Sequence, residues 1–301
     1  MGQLSGIFLN VLAPVFLLVL LGYLAGPRLG LDPRTLSRFA YFILTPAFIF
    51  NVLSQARIEA GLATRMILFI ISVYLGTTLI AFLLARILRR PAQMTAAYMM
   101  IAVFGNVGNF GLPIIQFAEG ENALAPAAIY FLADVILGFI VCVAVANFSR
   151  GISPAMFVQV FKSPALVALP PALLVNWFQL QLPPIVSRPV DMLTAALIPT
   201  MLVVLGSQLA AAGLPRISFD LLVSSGIRLI SGPLLAFALV APFGLTGLER
   251  NVGILQASMP AAVLVSIIAM ENDVLPNFVT GSVLFSNLAS VVSLTIVLAV
   301  L

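Results

Sequence analysis

The chain has 301 residues, of which 62% are hydrophobic and 8% are charged, and its mean hydropathy is +1.18. A soluble domain is about half apolar and about a quarter charged, so a surface this poor in charge is predicted to face a lipid bilayer. The net charge of +4 is spread along the chain without a basic patch, which argues against nucleic acid as a partner.

The apolar sequence divides into ten stretches, each long enough for a bilayer-crossing helix, which needs about 20 apolar residues. Turn-forming sequences such as Gly30-Leu31-Asp32-Pro33 separate these stretches, and the connections are too short for a soluble domain or an ATP-driven motor. We number them segments one to ten in chain order: 4–26, 35–54, 62–88, 93–118, 122–148, 164–181, 187–211, 218–241, 249–270 and 277–301.

The basic residues of the loops predict the orientation, because cytoplasmic loops carry the excess of Lys and Arg. Nine basic residues fall on one side of the predicted membrane and four on the other, while Arg228 lies inside segment eight. The side with nine includes the loop 149–163, so this loop is predicted to be cytoplasmic and both termini are predicted to lie outside.

Proline motifs recur at matching places in two sets of five segments. Leu44-Thr45-Pro46 in segment two matches Leu197-Ile198-Pro199 in segment seven, and Pro113 in segment four matches Pro260 in segment nine. Because five is odd, two such sets enter the membrane from opposite sides, as in the inverted repeats of many secondary transporters. We predict a first repeat at 1–148, a cytoplasmic connecting loop at 149–163 and a second, inverted repeat at 164–301.

The centre of segment four has a sequence that disfavours a continuous helix. Phe104-Gly105-Asn106-Val107-Gly108-Asn109-Phe110-Gly111-Leu112-Pro113 holds three glycines and a proline, which weaken or interrupt helices. Backbone left unpaired in hydrocarbon is costly, so this stretch is predicted to be buried in protein or to line a wet cavity. The free N–H groups at the start of a half-helix suit a carboxylate.

The predicted substrate site combines this break with a second one in segment nine. If the two sets of five segments form an inverted repeat, the two breaks meet near the middle of the membrane and form one site. The alternative interpretation is structural, with glycines for close helix packing and asparagines that link helices. The substrate-binding candidates are Asn106, Gly108, Asn109, Pro113, Gln256, Ser258 and Pro260.

Two ionisable residues, Asp134 and Arg228, fall well inside predicted spans, where such residues are costly and usually functional. They form a structural ion pair in one interpretation. In the other, Arg228 supplies the positive charge of an anion site and Asp134 takes part in proton coupling. The sequence leaves both interpretations open, and we count both residues as candidates for coupling or charge compensation.

The motif Gly105-Asn106-Val107-Gly108-Asn109-Phe110-Gly111-Leu112-Pro113, the later Met259-Pro260 and ten segments in two halves resemble the auxin efflux carrier family, in its compact microbial branch. The resemblance implies a fold similar to the bile acid–sodium symporters, with ten transmembrane helices as an inverted five-helix repeat and helices four and nine broken and crossing. Segment ten departs from the family at Ser286-Asn287, where Ser-Thr is usual, and Asn287 is a further candidate for coupling.

The resemblance also implies an elevator mechanism, in which segments three to five and eight to ten form a transport domain that moves against a scaffold. The scaffold comprises segments one, two, six and seven, and a homodimer through these helices is plausible by analogy. The substrates implied are small organic anions, above all carboxylates, and the implied location is the bacterial inner membrane. No cofactor is expected.

The main functional prediction is therefore a secondary efflux carrier of organic anions, with a sodium- or proton-coupled symporter as the alternative. An intramembrane enzyme is a distant alternative, because the chain has no histidine for zinc chemistry, a single cysteine and one carboxylate deep in a span. A receptor without transport activity would be expected to have straight helices and no polar centre.

Overall fold

The computed structural model describes residue 6 and residues 8–146, 162–212 and 215–301, and this part of the chain consists of helices without a β-strand. Most of the predicted loop 149–163 lies outside the described residues, which resume at Lys162. The described helices match the all-α architecture expected from the apolar segments.

Each predicted segment contains helix. Segment one is π-helical at Phe8–Leu12 and α-helical at Ala13–Arg28, and segment two is α-helical at Pro33–Phe39 and Thr45–Gln55 with π-helical Ala40–Leu44 between them. The uninterrupted helices are Ala60–Ile87 (three), Leu124–Ala146 (five), Pro164–Trp177 (six), Pro184–Ala212 (seven) and Pro276–Val300 (ten). Segment eight comprises Phe219–Gly226, π-helical Ile227–Ser231 and Gly232–Leu239.

Segments four and nine are each divided into two helices. We call them 4a (Ala92–Val103), 4b (Leu112–Glu119, continuous with π-helical Val107–Gly111), 9a (Gly247–Ala257) and 9b (Val263–Glu271). Within the described residues, seven helices are long and apolar enough to cross a membrane, and they belong to segments one, two, three, five, seven, eight and ten. The helices of segments four and nine are shorter than this because the segments are interrupted. The helix of segment six is also too short, with 14 residues.

The helices pack in two groups. Segment one packs mainly on segment seven, segment six packs on segment two, and segment two also contacts segment seven. Segments three, four, five, eight, nine and ten pack chiefly on one another. Contacts between the groups are fewer and include the π-helical stretch Val107–Gly111 against segment seven.

Segments one and seven approach so closely that their contact requires glycine. A Cβ atom on Gly22 would collide with the backbone carbonyl of Val203, and one on Gly206 would collide with that of Val19. The hydroxyl of Ser207 donates to the carbonyl of Gly22 at 3.2 Å. Small residues allow such backbone contact between membrane helices, where packing rather than water exclusion drives association.

Segment two begins with a side-chain cap. The carboxylate of Asp32 accepts from the backbone N–H groups of Arg34 and Thr35, each at 3.2 Å. The hydrogen bonds from the Thr35 hydroxyl and the Arg34 backbone hold the pKa of Asp32 below its ordinary value. A capped first turn defines where the chain leaves the loop and enters the helix.

The side chain of Asn176 from segment six caps the C-terminal end of segment two. The Nδ2 atom of Asn176 donates to the carbonyls of Leu53, Ser54 and Ala56 at 3.1, 3.1 and 2.7 Å. Carbonyls in the last turn of a helix lack helical partners, so this amide replaces bonds that the backbone cannot make.

We expect Asn176→Ala to lower the free energy of unfolding by about 1–3 kcal/mol, because the half-buried carbonyls lose their donor. The measurement is thermal unfolding of the purified protein in detergent. Gln55→Ala is the control, since Gln55 is exposed at the same helix end and its side-chain bond among the described residues is a local one to Asn51. Equal melting temperatures for the two variants would contradict a capping role for Asn176.

Candidate functional site

The two interrupted segments cross at their unwound residues. The backbone N–H of Asn106 donates to the carbonyl of Pro260 at 2.7 Å, and that of Ala262 donates to the carbonyl of Phe104 at 2.9 Å. These bonds pair Gly105 with Ala261 in a short antiparallel bridge. The bridge satisfies backbone groups that an interrupted helix leaves without partners, which is the condition for irregular backbone at membrane depth. The structure thus brings the two predicted breaks together.

Four helix ends meet at this crossover. Helices 4a and 9a end there, at Val103 and Ala257, and the continuations Val107–Gly111 with 4b and helix 9b begin there. Helix C-termini carry partial negative charge and N-termini partial positive charge. The crossover therefore brings together two helix ends that attract cations and two that attract anions.

Arg228 binds the C-terminal ends of helices 4a and 9a, the first halves of the two interrupted segments. Its Nε donates to the carbonyl of Met259 at 2.7 Å, and its Nη1 donates to the carbonyl of Ala102 at 2.8 Å. The guanidinium lies over the ring of Tyr74, 5.1 Å from the ring centroid, and the residue is fully buried. A cation at a helix C-terminus is favourable, and this one serves two helices at once.

Asp134 reaches the crossover from segment five. Its Oδ1 accepts from the backbone N–H of Gly105 at 3.3 Å, and the side chain is fully buried. The guanidinium of Arg228 lies against the same glycine, because a Cβ on Gly105 would collide with its Nη2. Among the described residues, the ion pair within 4.0 Å is Arg90–Asp220, so Asp134 and Arg228 meet through Gly105 and not in a direct salt bridge.

Segment ten contacts both breaks through two adjacent side chains. Asn106 donates from Nδ2 to the Oδ1 of Asn287 at 2.9 Å, and Asn287 donates from its own Nδ2 to the carbonyl of Ala261 at 3.0 Å. The hydroxyl of Ser286 accepts from the N–H of Ala261 at 3.2 Å. The Ser286-Asn287 pair of segment ten therefore binds the crossover.

The substrate candidates of segment nine have different surroundings. Gln256 is fully buried and donates from Nε2 to the carbonyl of Ala127 at 3.3 Å, while its Oε1 faces Gly111. The hydroxyl of Ser258 donates to the carbonyl of Ile254 in its own helix at 2.6 Å, so its proton is already engaged. Pro260 contributes its carbonyl to the bridge.

The remaining candidates of segment four lie on its second half. Gly108 packs beneath the ring of Phe131, and Pro113 is buried in the first turn of helix 4b. Asn109 is partly exposed, and we find no hydrogen bond from its side chain to another described residue. The structure therefore brings Asn106, but not the Asn109 side chain, into the crossing network.

Sequence reasoning missed two polar residues of segment three. The hydroxyl of Tyr74 donates to the carbonyl of Gln256 at 3.4 Å, and that of Thr77 shares its proton between the carbonyls of Tyr74, at 2.9 Å, and Ala102, at 3.2 Å. Their spacing of three places both on one face of a helix, which is a signal that the sequence offered within an otherwise apolar span.

Three buried polar atoms around the crossover have no hydrogen-bond partner in the described part of the chain: Asp134 Oδ2, Arg228 Nη2 and Gln256 Oε1. Unpaired buried polar groups are uncommon in stable proteins and call for a specific explanation. The described residues also contain no cluster of three or more His, Cys, Asp or Glu that could hold a metal ion.

Comparison with known proteins agrees with these features. An "Uncharacterized transporter" of Methanothermobacter thermautotrophicus is 28% identical to this chain, and the match covers 93% of this chain and 94% of the relative's length. A "Putative malonate transporter" of Rhizobium meliloti is 27% identical over 98% of this chain and 95% of its own length. The sequence profile of the family described as "Membrane transport protein" matches residues 7–164 and 146–298. The chain therefore belongs to this membrane transport protein family, the auxin efflux carrier family that its motifs predicted.

Proposed function

We propose that the protein is a secondary carrier of small organic anions, in particular carboxylates, that works by alternating access around the crossover. The observation that carries this proposal is the hydrogen-bonded crossing of two interrupted helices, at Gly105 and Ala261, beside buried charged groups. Interrupted helices whose ends meet in this way are typical of transporter substrate sites. Membership of a membrane transport family supports the same conclusion.

The proposed architecture is ten transmembrane helices in two inverted repeats, 1–148 and 164–301. Segments one, two, six and seven form the scaffold, and segments three to five and eight to ten form the transport domain. The division of the helix contacts into the same two groups supports this assignment. The scaffold helices also provide the proposed homodimer contact. In the proposed orientation, both termini lie outside the bacterial inner membrane.

The proposed anion site uses the helix N-termini at the crossover. The π-helical stretch Val107–Gly111 and helix 9b direct their first N–H groups toward the crossing, where a carboxylate would meet partial positive charge. Asn106 and Asn109 lie at this end and offer amide donors. Malonate is the first substrate to test, because a relative that matches 98% of this chain is described as a "Putative malonate transporter".

The test is uptake of labelled carboxylates into proteoliposomes under an imposed membrane potential. We expect Asn106→Ala to reduce malonate flux by at least about tenfold, because the variant loses the bond that joins segment four to Asn287. The protein should still insert and purify, since the backbone bond from residue 106 to Pro260 survives the substitution.

Asn277→Ala is the matched control for this experiment. Asn277 is exposed in the first turn of segment ten, about 15 Å along the helix from Asn287, and should not affect flux. Undiminished flux in Asn106→Ala would exclude Asn106 from the substrate site. If neither variant nor the original protein moves any carboxylate, the proposed function itself is wrong.

A further inference from the structure

The carboxylate of Asp134 has too few hydrogen bonds for a permanently ionised group. Its Oδ1 has one long bond, from the N–H of Gly105 at 3.3 Å. Its Oδ2 is buried and accepts no hydrogen bond from any residue that the structure describes. An ionised carboxylate has about four acceptor positions, and its burial is costly unless they are filled. A proton on Oδ2 would remove that cost.

Three titratable groups from the described elements lie in the surroundings of Asp134: Arg228 of segment eight and Tyr74 of segment three act on it, and it acts in turn on Cys142 of its own helix. Arg228 has two donors occupied by the carbonyls of helix ends and keeps only Nη2 free of a described partner. Tyr74 directs its hydroxyl to the carbonyl of Gln256, and Cys142 its thiol to that of Met100. None of the three makes a hydrogen bond to Oδ2 within 3.5 Å, and the Tyr74 hydroxyl lies close enough to act on Asp134 as a weak donor.

The charges at the crossover then depend on the protonation of Asp134. An arginine keeps its charge in proteins, so the pair with Arg228 has no net charge when Asp134 is ionised. When Asp134 is protonated, the positive charge of Arg228 faces only the partial negative charges at the ends of helices 4a and 9a, in a region of low dielectric constant. A carboxylate anion at the crossover would compensate that charge, so proton and anion stabilise each other there.

We infer that the protein couples anion transport to protons, with Asp134 binding one proton for each substrate anion. This inference rests on the proposed carrier function and adds the co-transported ion. The proton comes from solution and bonds to the carboxylate of Asp134, and it leaves on the other side of the membrane with the anion. The bond from Gly105 to Asp134 joins the titrating group directly to the bridge between segments four and nine.

The binding of proton and anion is reciprocal, so lower pH should tighten anion binding. With one proton per anion, the apparent affinity approaches about a tenfold gain for each pH unit lowered, within the range in which Asp134 titrates. A malonate dianion with one proton still carries one negative charge, so its flux should also respond to membrane potential.

The experiment uses the full chain in proteoliposomes, with labelled malonate as the probe and a pH-sensitive dye inside. We expect the original protein to move about one proton with each malonate. Asp134→Asn should move none, and its affinity for malonate should vary by less than about twofold with pH, because the amide cannot titrate. Asp134→Glu should retain both pH dependence and proton movement.

Asp273→Asn is the matched control, because Asp273 is exposed in a loop at positive φ, a conformation that asparagine tolerates. Its proton movement should equal that of the original protein. Malonate flux without proton movement in the original protein would overturn the coupling and leave the carrier function intact; this measurement needs no variant. Proton-coupled flux in Asp134→Asn would also overturn the role of Asp134. An absence of flux with all carboxylates, at any pH, would overturn the carrier function first.

Discussion

Arg228→Met should destabilise the protein more than any other single change in the crossover. The substitution removes the donors to Ala102 and Met259 and leaves Asp134 without its nearby positive charge. Removal of one member of a buried group of charges typically costs about 3–5 kcal/mol. We expect low yield and a greatly lowered melting temperature in detergent. Thermal unfolding and size-exclusion chromatography measure these effects.

Two further variants separate charge from geometry. Arg228→Lys keeps the charge but loses the planar fork that reaches two carbonyls, so its stability should be intermediate. Arg228→Met combined with Asp134→Asn removes both charges and should recover part of the loss. Arg216→Met, an exposed change of the same type, is the control. Normal stability in Arg228→Met would show that the guanidinium is not needed to hold the helix ends.

Gly105→Ala should abolish transport, with at least about a hundredfold loss of flux. The added Cβ would collide with the guanidinium of Arg228, which is held by two carbonyls and cannot easily withdraw. Overpacking of this kind costs about 1–3 kcal/mol and would displace the backbone that pairs with Ala261. Labelled malonate uptake and thermal unfolding measure the two effects.

Gly226→Ala is the control for the glycine change. A Cβ on Gly226 meets no atom within 4 Å, and this residue is helical, so alanine should be neutral or stabilising by about 0.5–1 kcal/mol. Near-normal uptake in Gly105→Ala would mean that Arg228 moves freely in the working protein, which would weaken its assignment as a fixed link.

The apolar segments and the interruption of segment four were predictable because they follow from composition and from backbone chemistry. Glycine and proline at membrane depth predict an unwound stretch whatever the partner, and segment nine has its break at Ser258-Met259-Pro260 as expected. Asn106 was also identifiable, since an amide inside an apolar segment requires a partner. That this partner is Asn287, 181 residues away, depends on tertiary packing.

The roles of the charged residues could not be predicted in the same way. The sequence left a direct pair between Asp134 and Arg228 open, because opposite charges in apolar surroundings attract, but it could not show that backbone carbonyls compete for the guanidinium. Those carbonyls lie at the ends of helices 4a and 9a, and these ends exist only because segments four and nine are interrupted. The Ser258 hydroxyl was ambiguous for a similar reason, because a carbonyl of its own helix satisfies it.

The position of Arg228 in the chain has a consequence for biosynthesis. An arginine at the centre of a bilayer costs about 2.5–3.5 kcal/mol to insert, so segment eight needs a receptive surface as it leaves the ribosome. Ala102 and Asp134 are synthesised earlier and can provide it, whereas Met259 follows 31 residues later. The second half made alone would therefore bring Arg228 into the membrane with the carbonyl of Met259 but without the carbonyl of Ala102 and the carboxylate of Asp134.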